Sequence, residues 1–274
     1  VIVGHDYATD TLNGGGGNDT IDFKAYHYNA SDAVTFTLGT QTINFENITG
    51  STFDDVLTGD GNANIIIGDG AWSSDEGSDT INGLGGNDDL YGKGGNDQID
   101  GGTGADRITT GSGIDTIILR AGDGGSTLAD ADIVTDFTDG IDAFGMDGGM
   151  QYSDLTIAQG TGETGNQNDT IIKAGSEYLA ILTGISASNI NYMDFVSAST
   201  ANQRLTGTNG DDILLGAGGA DTVTTRNGTD IVATFSGNDS IQVNGTGNKT
   251  INGGSGTDSL TITDGSGNTL MHYT

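Results

Sequence analysis

The stretch that decides the fold is "GKGGNDQIDGGTGADRITTGSGIDTI", residues 92–117. Aspartate returns at every ninth position of this stretch, and an isoleucine stands two places after each aspartate. The same spacing continues outside the stretch and gives two sets: Asp79, Asp88, Asp97, Asp106 and Asp115, then Asp212, Asp221, Asp230 and Asp239. A strict period of nine residues is typical of a repeat architecture.

Each repeat follows the pattern G-G-x-G-x-D-x-U-x, in which U is apolar. The full pattern is present in "GGGGNDTID" (14–22), "GGTGADRIT" (101–109) and "GGSGTDSLT" (253–261). Other units lack the second glycine or begin with threonine, as in "GLGGNDDLY", "GAGGADTVT", "TGSGIDTII", "TRNGTDIVA" and "TFSGNDSIQ". Residues 50–58 and 59–67 depart further, and Asn64 replaces the aspartate in the second of them, so we expect decayed or vacant sites there.

The two halves of the unit predict its local structure. Six glycine-rich residues can turn through positive φ angles, and the last three residues suit a short strand. Two units complete a coil of about 18 residues, so successive coils stack as parallel strands around a thin stripe of Ile, Leu and Val. We therefore predict an all-β parallel solenoid, with Asp79, Asp97 and Asp115 on one edge and Asp88 and Asp106 on the other.

The charge balance indicates which partners the chain can have. There are 38 acidic residues against 8 Lys and Arg, a formal net charge of -30, and only 33% of the residues are hydrophobic. Such a chain repels itself unless cations neutralise it. Nucleic acid is excluded as a partner because the basic residues are scattered, and membrane insertion is excluded because no apolar run of about 18 residues exists.

Calcium is the cation that these turns fit best. Carboxylates stacked at the strand spacing of about 4.8 Å repel one another unless a cation lies between them. Calcium accepts six to eight oxygen ligands in flexible geometry, whereas Mg²⁺ requires a stricter octahedron and transition metals favour imidazole or thiolate. The chain has no cysteine. We predict several bound Ca²⁺ ions and no other cofactor.

The nonapeptides resemble those of the repeats-in-toxin (RTX) family, whose parallel β-roll binds calcium in its turns and is exported by bacterial type I secretion. The resemblance implies ions between turns two repeats apart, held by carbonyls at places one and three plus the aspartate of one turn, and at places two and four plus the aspartate of the other. For one ion these would be Gly83, Gly85 and Asp88 with Gly102, Gly104 and Asp106. The metal-site residues implied over the whole chain are Gly14, Gly15, Gly17, Asp19, Asp79, Gly83, Gly85, Gly86, Asp88, Gly92, Gly94, Gly95, Asp97, Gly101, Gly102, Thr103, Gly104, Asp106, Gly111, Gly113, Asp115, Gly207, Gly210, Asp212, Gly216, Gly218, Gly219, Asp221, Gly228, Asp230, Gly237, Asp239, Gly253, Gly254, Gly256 and Asp258.

The repeats divide the chain into three predicted segments. Residues 1–118 form a first β-roll with degenerate repeats and an inserted loop around Trp72, and residues 201–274 form a second. Between them, residues 119–200 lose the period and are predicted to form a β-sandwich-like flank or cap, with strands at 169–173 and 178–182. Within this flank "DADIVTDFTDGIDAFGM" (130–146) resembles the segment that follows the calcium array in serralysin-type proteins, at Asp132, Asp136, Phe137, Gly140 and Asp142.

Catalytic motifs are missing from the sequence, and we expect no enzyme and no catalytic residues. His5, His27 and His272 do not form the zinc motif H-E-x-x-H, and "GGSGT" around Ser255 fails the lipase pattern G-x-S-x-G. An EF-hand is excluded because Ile65 stands where that loop requires glycine. The start "VIVGHDYATD" has neither an initiating Met nor a secretory signal, which suggests a fragment or a processed piece of a longer protein.

Two functions remain open at this point. The first is a non-catalytic, calcium-loaded β-roll of a secreted or cell-surface bacterial protein, serving as a structural scaffold such as an S-layer, filament or adhesin component. The alternative is the C-terminal secretion and chaperone region of an extracellular hydrolase or carbohydrate-active enzyme. A sugar-binding module is a third, supported only by Trp72 and scattered tyrosines. Unpaired strand edges at the roll ends predict self-assembly or a cell-surface partner.

Overall fold

The computed structural model describes residues 12–23, 33–39, 42–70, 77–161, 167–198 and 202–263. Trp72 and the three histidines lie outside the described residues. The chain forms two compact units by its contacts: unit 1 is Val1–Phe144 with Leu155–Asp194, and unit 2 is Gly145–Asp154 with Phe195–Thr274. The three-segment division of the sequence stays a prediction.

Unit 1 is built from short strands. Its described strands are β1 (Leu12–Asn13), β2 (Thr20–Asp22), β3 (Thr35–Thr37), β4 (Thr42–Ile43), β5 (Asn47–Thr49), β6 (Val56–Thr58), β7 (Ile65–Ile67), β8 (Thr80–Asn82), β9 (Asp89–Gly94), β10 (Gln98–Asp100), β11 (Arg107–Ser112), β12 (Thr116–Leu119), β13 (Asp132–Val134), the first half of β14 (Ala143–Met146), β15 (Leu155–Gln159), β16 (Thr170–Ala174) and β17 (Glu177–Leu182). Strands β1 and β4 pair with each other, and the others lie in two longer sheets.

Successive strands of the repeats alternate between these two sheets. One sheet has the order β14-β12-β10-β8-β6-β3, and the other has the order β15-β16-β17-β13-β11-β9-β7-β5-β2. Neighbouring repeat strands are parallel, and Ile99 lies opposite Ile81 on one side and Ile117 on the other. The parallel β-roll predicted from the nine-residue period is therefore confirmed, and it includes the degenerate repeats at 50–67.

One apolar side chain from each repeat enters the space between the two sheets. These side chains are completely buried: Ile48, Leu57, Ile66, Ile81, Leu90, Ile99, Ile108 and Ile117. Burying one such side chain stabilises a fold by about 1.5–3 kcal/mol. A single apolar residue per repeat makes a thin core, and the polar turns at the two edges must therefore be stable in their own right.

The flank continues the roll in unit 1. Strand β13 pairs in parallel with β11 and with β17, and β16 is antiparallel to β15 and β17. The strands predicted at 169–173 and 178–182 are present as β16 and β17. The helices in the described residues are 3-10 turns of three residues, at Leu128–Asp130, Tyr152–Asp154 and Tyr192–Asp194. In the part of the chain that the structure describes, no helix is long and apolar enough to cross a bilayer.

Unit 2 repeats the same architecture. Besides the end of β14 its described strands are β18 (Phe195–Ser197), β19 (Arg204–Thr206), β20 (Ile213–Leu215), β21 (Thr222–Thr224), β22 (Asp230–Ala233), β23 (Ser240–Val243), β24 (Lys249–Asn252) and β25 (Ser259–Ile262). Two parallel sheets form, with the orders β19-β21-β23-β25 and β20-β22-β24. Val223, Val232, Ile241, Val243 and Ile251 fill the space between them.

Candidate metal centres

Each aspartate at place six of a repeat links two successive coils on the same edge. The backbone N–H of Asp79 donates to Oδ1 of Asp97 at 2.8 Å, and that of Asp97 donates to Oδ1 of Asp115 at 2.8 Å. On the opposite edge, the N–H of Asp88 donates to Oδ1 of Asp106 at 2.7 Å. The two aspartate stacks predicted from the sequence are therefore present, one on each edge.

The second carboxylate oxygen of these side chains faces the interior of the turn. Oδ2 is buried and has no hydrogen-bond partner within the described residues in six aspartates: Asp19, Asp79, Asp88, Asp106, Asp115 and Asp239. A buried carboxylate oxygen without a partner is costly, because no water or donor replaces its hydration. Each of these oxygens is therefore a position at which a cation would restore the lost interaction.

In several repeats the first residue is a glycine that leaves room for this oxygen and for a backbone carbonyl. A Cβ placed on Gly83 would collide with Oδ2 of Asp88 and would stand 2.6 Å from the carbonyl oxygen of Gly101, one coil further on. A Cβ on Gly68 would meet Oδ2 of Asp79 and the carbonyl oxygen of Gly92 in the same way. Glycine at this place thus allows a carboxylate and a carbonyl oxygen to approach one point.

Burial and neighbouring carboxylates raise the pKa values of these aspartates. Burial raises the pKa of Asp79 to about 8, with further contributions from other carboxylates, including that of Asp97. Burial likewise raises the pKa of Asp106 to about 7 and that of Asp88 to about 6. The negative form of each carboxylate is thus destabilised in this surrounding, and a cation between the turns would stabilise it.

The ligands offered here suit a hard cation with flexible geometry. In the described part of the chain, no three carboxylate or imidazole side chains cluster as a metal site. The oxygens that converge are those of single aspartates and of backbone carbonyls, which is the ligand type that calcium accepts. These residues fit calcium, and in the implied sets it would bridge two coils and neutralise their carboxylates.

The structure brings the two turns of the implied set side by side. Gly85 and Thr103 form a parallel β-bridge, in which Gly86 N–H donates to the Thr103 carbonyl and Thr103 N–H donates to the Leu84 carbonyl, both at 3.0 Å. The carbonyls in these two bonds are not the four that the resemblance assigns to the ion. The assignment of individual carbonyls as ligands stays a prediction.

In two units the side chain at place nine accepts a hydrogen bond from the backbone N–H at place two of the next turn. Asn82 Oδ1 accepts a hydrogen bond from Leu84 N–H at 3.0 Å, and Asp100 Oδ1 accepts one from Gly102 N–H at 3.1 Å. These local turns satisfy the N–H at place two, which would otherwise point toward the aspartate. The aspartates that follow these turns, Asp88 and Asp106, keep an Oδ2 that has no partner among the described residues.

The first two nonapeptide repeats in unit 2 lack this arrangement. Oδ2 of Asp212 accepts a hydrogen bond from Thr208 N–H at 2.7 Å, and Oδ2 of Asp221 accepts one from Ala217 N–H at 2.6 Å. The residues at place nine before these turns are Thr206 and Leu215, neither of which has a side-chain carbonyl. Of the predicted metal residues, Asp212 and Asp221 thus already use the oxygen that would face a cation.

In the degenerate repeats, too, the side chain at place six accepts hydrogen bonds from backbone N–H groups of the chain. Asp55 accepts hydrogen bonds from Val34 N–H and Ser51 N–H on its two oxygens. Asn64 takes the place of an aspartate, and its Oδ1 accepts a hydrogen bond from Asp60 N–H at 2.9 Å. The prediction of vacant sites in these two units is favoured by these bonds.

Two residues of the flank complete the aspartate stacks, and the sequence analysis did not include them among the metal residues. Oδ1 of Asp132 accepts the N–H of Asp106 at 2.9 Å, and Oδ1 of Asp142 accepts the N–H of Asp115 at 3.2 Å. Burial raises the pKa of Asp132 well above its usual range. Asp132 follows Asp106 at 26 residues, outside the nine-residue period, so spacing alone could not find it. Asp142 follows Asp115 at 27 residues, which is three periods, and Gly140 stands at place four before it, so the spacing was a signal for Asp142.

The coils, the aspartate stacks and the glycine-lined turns define a parallel β-roll with cation sites between its turns. A family model, described as the RTX calcium-binding nonapeptide repeat, matches residues 7–24, 43–71, 73–99, 83–117, 100–123, 197–232 and 206–241, together just over half of the chain. The chain belongs to this family. It is a calcium-binding repeat protein, and its several repeats imply several Ca²⁺ ions.

Two solved structures are similar to parts of the chain. They are solution structures of the R3 and R2 subunits of AlgE6, a mannuronan C5-epimerase from Azotobacter vinelandii. The R3 subunit is 26% identical, with 54% of this chain and 81% of the subunit covered and a TM-score of 0.31. The R2 subunit is 23% identical, with 56% and 94% covered and the same TM-score. No curated protein matches the chain.

Proposed function

We propose that this chain is a non-catalytic β-roll of a secreted or cell-surface bacterial protein, which folds when it meets calcium outside the cell after type I secretion. Its role would be that of a structural scaffold, such as a component of an S-layer, a filament or an adhesin. The observation that carries the proposal is the row of buried Oδ2 atoms at Asp79, Asp88, Asp106 and Asp115, which have no hydrogen-bond partner in the part of the chain that the structure describes.

The balance of forces supports a folding switch. The core contributes one apolar side chain per repeat, and a formal net charge of -30 opposes compaction. At the low calcium concentration of a cytosol, this thin core would not offset the chain entropy, so the chain would stay unfolded and competent for export. Outside, sites with dissociation constants of about 0.1–1 mM would fill, and ion binding would drive folding.

The scaffold role is supported by the arrangement of the repeats. Repeats are present in both units, and their carboxylates take part in the coil-to-coil stacks. A carboxylate fixed in this way has another coil as its neighbour, which suits a structural ion better than acid–base catalysis. Solenoids of this kind expose strand edges at their ends, and such edges support end-to-end association.

A calcium titration tests both parts of the proposal. Far-UV circular dichroism and sedimentation velocity would follow the chain from EDTA to about 10 mM calcium, above the range given for extracellular sites, with magnesium as the control. We expect a cooperative, calcium-specific gain of β structure, followed by larger particles. A gain that ends in a monomer would contradict the self-assembling scaffold and favour an appendage of a secreted enzyme. Complete β structure in EDTA would overturn the switch.

A further inference from the structure

One coil of unit 2 carries a lysine where the other coils carry an aspartate. The unit "NGTGNKTIN" spans residues 244–252, and Lys249 stands at its sixth place. Strand β24 pairs in parallel with β22, and Lys249 lies directly opposite Asp230 in this register. The side chain of Lys249 is completely buried, which is rare for lysine and calls for a partner of opposite charge.

The ammonium group of Lys249 lies among oxygens of two successive turns. Nζ is 3.1 Å from Oδ2 of Asp230, whose side chain is completely buried as well. It donates to the carbonyl of Gly228 at 2.6 Å and to the carbonyl of Thr246 at 3.1 Å. One carboxylate from the earlier coil and one carbonyl from each coil thus surround a single positive charge.

The aspartate stack of this edge ends at the lysine. The N–H of Asp212 donates to Oδ1 of Asp230 at 3.1 Å, as in the other coils. The N–H of Asp230, however, donates to the carbonyl of Asn248 at 2.9 Å instead of to a side chain of the next coil. The step from Asp230 to Lys249 is 19 residues, one more than the 18 between Asp212 and Asp230.

We propose that the ammonium group of Lys249 is a built-in counter-cation that takes the place of a calcium ion between these two turns. Two carboxylates and one dication sum to zero charge, and so do one carboxylate and one ammonium. The Asp-to-Lys replacement therefore keeps the position neutral without any ion. Because the cation is attached to the chain, closing this coil does not require a calcium ion to bind at this position.

The consequence is that coils of the two units depend on calcium to different degrees. In unit 2, Asp212 and Asp221 accept backbone N–H groups on Oδ2 and Asp230 faces Lys249, whereas Asp239 keeps a buried Oδ2 without a partner in the described residues. The coil around Lys249 would therefore order at lower calcium than the coils of residues 79–117, in which Oδ2 of Asp79, Asp88, Asp106 and Asp115 has no hydrogen-bond partner among the described residues. This comparison rests on the proposed calcium-driven folding, whereas the place of the lysine is tested separately by counting ions.

Hydrogen exchange and calcium stoichiometry, both measured on the full chain, test the inference. Mass-spectrometric exchange would compare peptides of the Asp230 and Lys249 turns, taken within 225–252 but leaving out the turn of Asp239, with peptides from 79–117 across a calcium series, for wild type, Lys249→Met and Lys249→Asp. Arg226→Met is the matched control, because it removes one positive charge from an exposed side chain of the same turn. Isothermal titration would count the bound ions.

In the wild type we expect the Asp230 and Lys249 turns to become protected at a lower calcium concentration than 79–117. Lys249→Met should shift the midpoint for these two turns upward by roughly tenfold, in line with the loss of one buried ion pair, and Arg226→Met should not. Lys249→Asp should bind one ion more than the wild type.

An unchanged midpoint in Lys249→Met, or an unchanged ion count in Lys249→Asp, would overturn the inference, and so would a Lys249→Asp chain that fails to fold in calcium. If 79–117 shows no response to calcium, the folding switch fails, and the ion count still decides the role of Lys249.

Discussion

Asp79 and Asp97 are joined by a hydrogen bond from the backbone N–H of the first to Oδ1 of the second, across 18 residues of chain, at 2.8 Å. The same carboxylate group leaves its other oxygen on the inner side of the turn. Oδ1 links coils and Oδ2 is the candidate ion ligand, so one aspartate per repeat serves both folding and binding. Substitutions can separate these two roles.

Asp88→Asn should separate the coil-linking role of Oδ1 from the ion-binding role of Oδ2 on one edge of the roll. An asparagine keeps an oxygen for the N–H of Asn64, which Asp88 Oδ1 accepts at 2.7 Å, but it removes the charge from Oδ2. We expect the β-roll to form at saturating calcium, with fewer bound ions and a midpoint roughly tenfold higher, since ligand charge sets calcium affinity. Isothermal titration and circular dichroism measure the two effects.

The control for this substitution is Asp89→Asn, which removes the same charge from the adjacent residue of β9. Asp89 is only partly buried and lies outside the six aspartates whose Oδ2 is buried without a partner. Its ion count should equal that of the wild type. Equal effects of the two substitutions would show that net charge, and not the position of Oδ2, determines binding.

Gly83→Ala should disrupt its turn, because the space beside Gly83 does not admit a Cβ. The new methyl group would overlap Oδ2 of Asp88 and press on the carbonyl of Gly101. We expect a loss of about 1–3 kcal/mol in the free energy of unfolding in calcium, the usual range for overpacking, together with weaker calcium binding. Chemical denaturation at fixed calcium measures the loss.

Gly61→Ala is the control for the turn. Gly61 belongs to the degenerate unit, its φ is not positive, and a Cβ there meets nothing within 4 Å. Its stability should change by no more than about 1 kcal/mol, in either direction. A loss as large as that of Gly83→Ala would mean that glycine is needed for general flexibility and not for the approach of oxygens.

The sequence predicted the roll and its edges because both follow from the nine-residue period. Ile81, Ile99 and Ile117 are stacked and buried as the alternation of turn and strand required. The period could not show that Asp132 accepts the N–H of Asp106, because the flank reaches that position after an irregular path. It also gave no signal for Lys249, whose role depends on the three-dimensional approach of Asp230 and two carbonyls.

The repeat pattern also could not predict which of the candidate metal sites are occupied. Asp212 and Asp88 are equivalent in the repeat pattern, yet Oδ2 of Asp212 accepts the N–H of Thr208 whereas Oδ2 of Asp88 has no partner within the described residues. The residue at place nine differs between these two units, but it does not decide the matter by itself, because Oδ2 of Asp79, Asp115 and Asp239 has no partner in the described residues although Ile67, Thr109 and Ala233 precede their turns. Asn82, before the turn of Asp88, accepts a hydrogen bond from the N–H at place two, whereas Thr206, before the turn of Asp212, does not.

Ile99→Ala tests how much of the stability comes from the thin core. Ile99 is completely buried and lies between Ile81 and Ile117 of the neighbouring coils. We expect a loss of about 2–5 kcal/mol in the free energy of unfolding at saturating calcium, from lost burial and the cavity left behind. Gln98→Ala, at an exposed position of the same strand, should cost less than about 1 kcal/mol. Denaturant titrations compare them, and equal losses would contradict the inward stripe.

The raised pKa values predict that acid partly replaces calcium. Burial raises the pKa of Asp79 to about 8, of Asp106 to about 7 and of Asp88 to about 6, all above the unfolded value of 3.8. The folded state therefore binds protons more tightly than the unfolded chain does. This contribution to stability is fully present below about pH 3.8 and is lost as the pH rises through about 6 to 8.

In EDTA we therefore expect β structure to increase as the pH falls from 8 to about 5, within the window set by these pKa values. At saturating calcium the same pH change should have little effect, because the ions already neutralise the carboxylates. Far-UV circular dichroism along both pH series gives the comparison, and Asp79→Asn should respond less to pH in EDTA than Asp89→Asn does. An increase of β structure with rising pH in EDTA would mean that the folded protein stabilises these carboxylates in their charged form. Burial without a counter-ion could then not be the reason why folding depends on calcium.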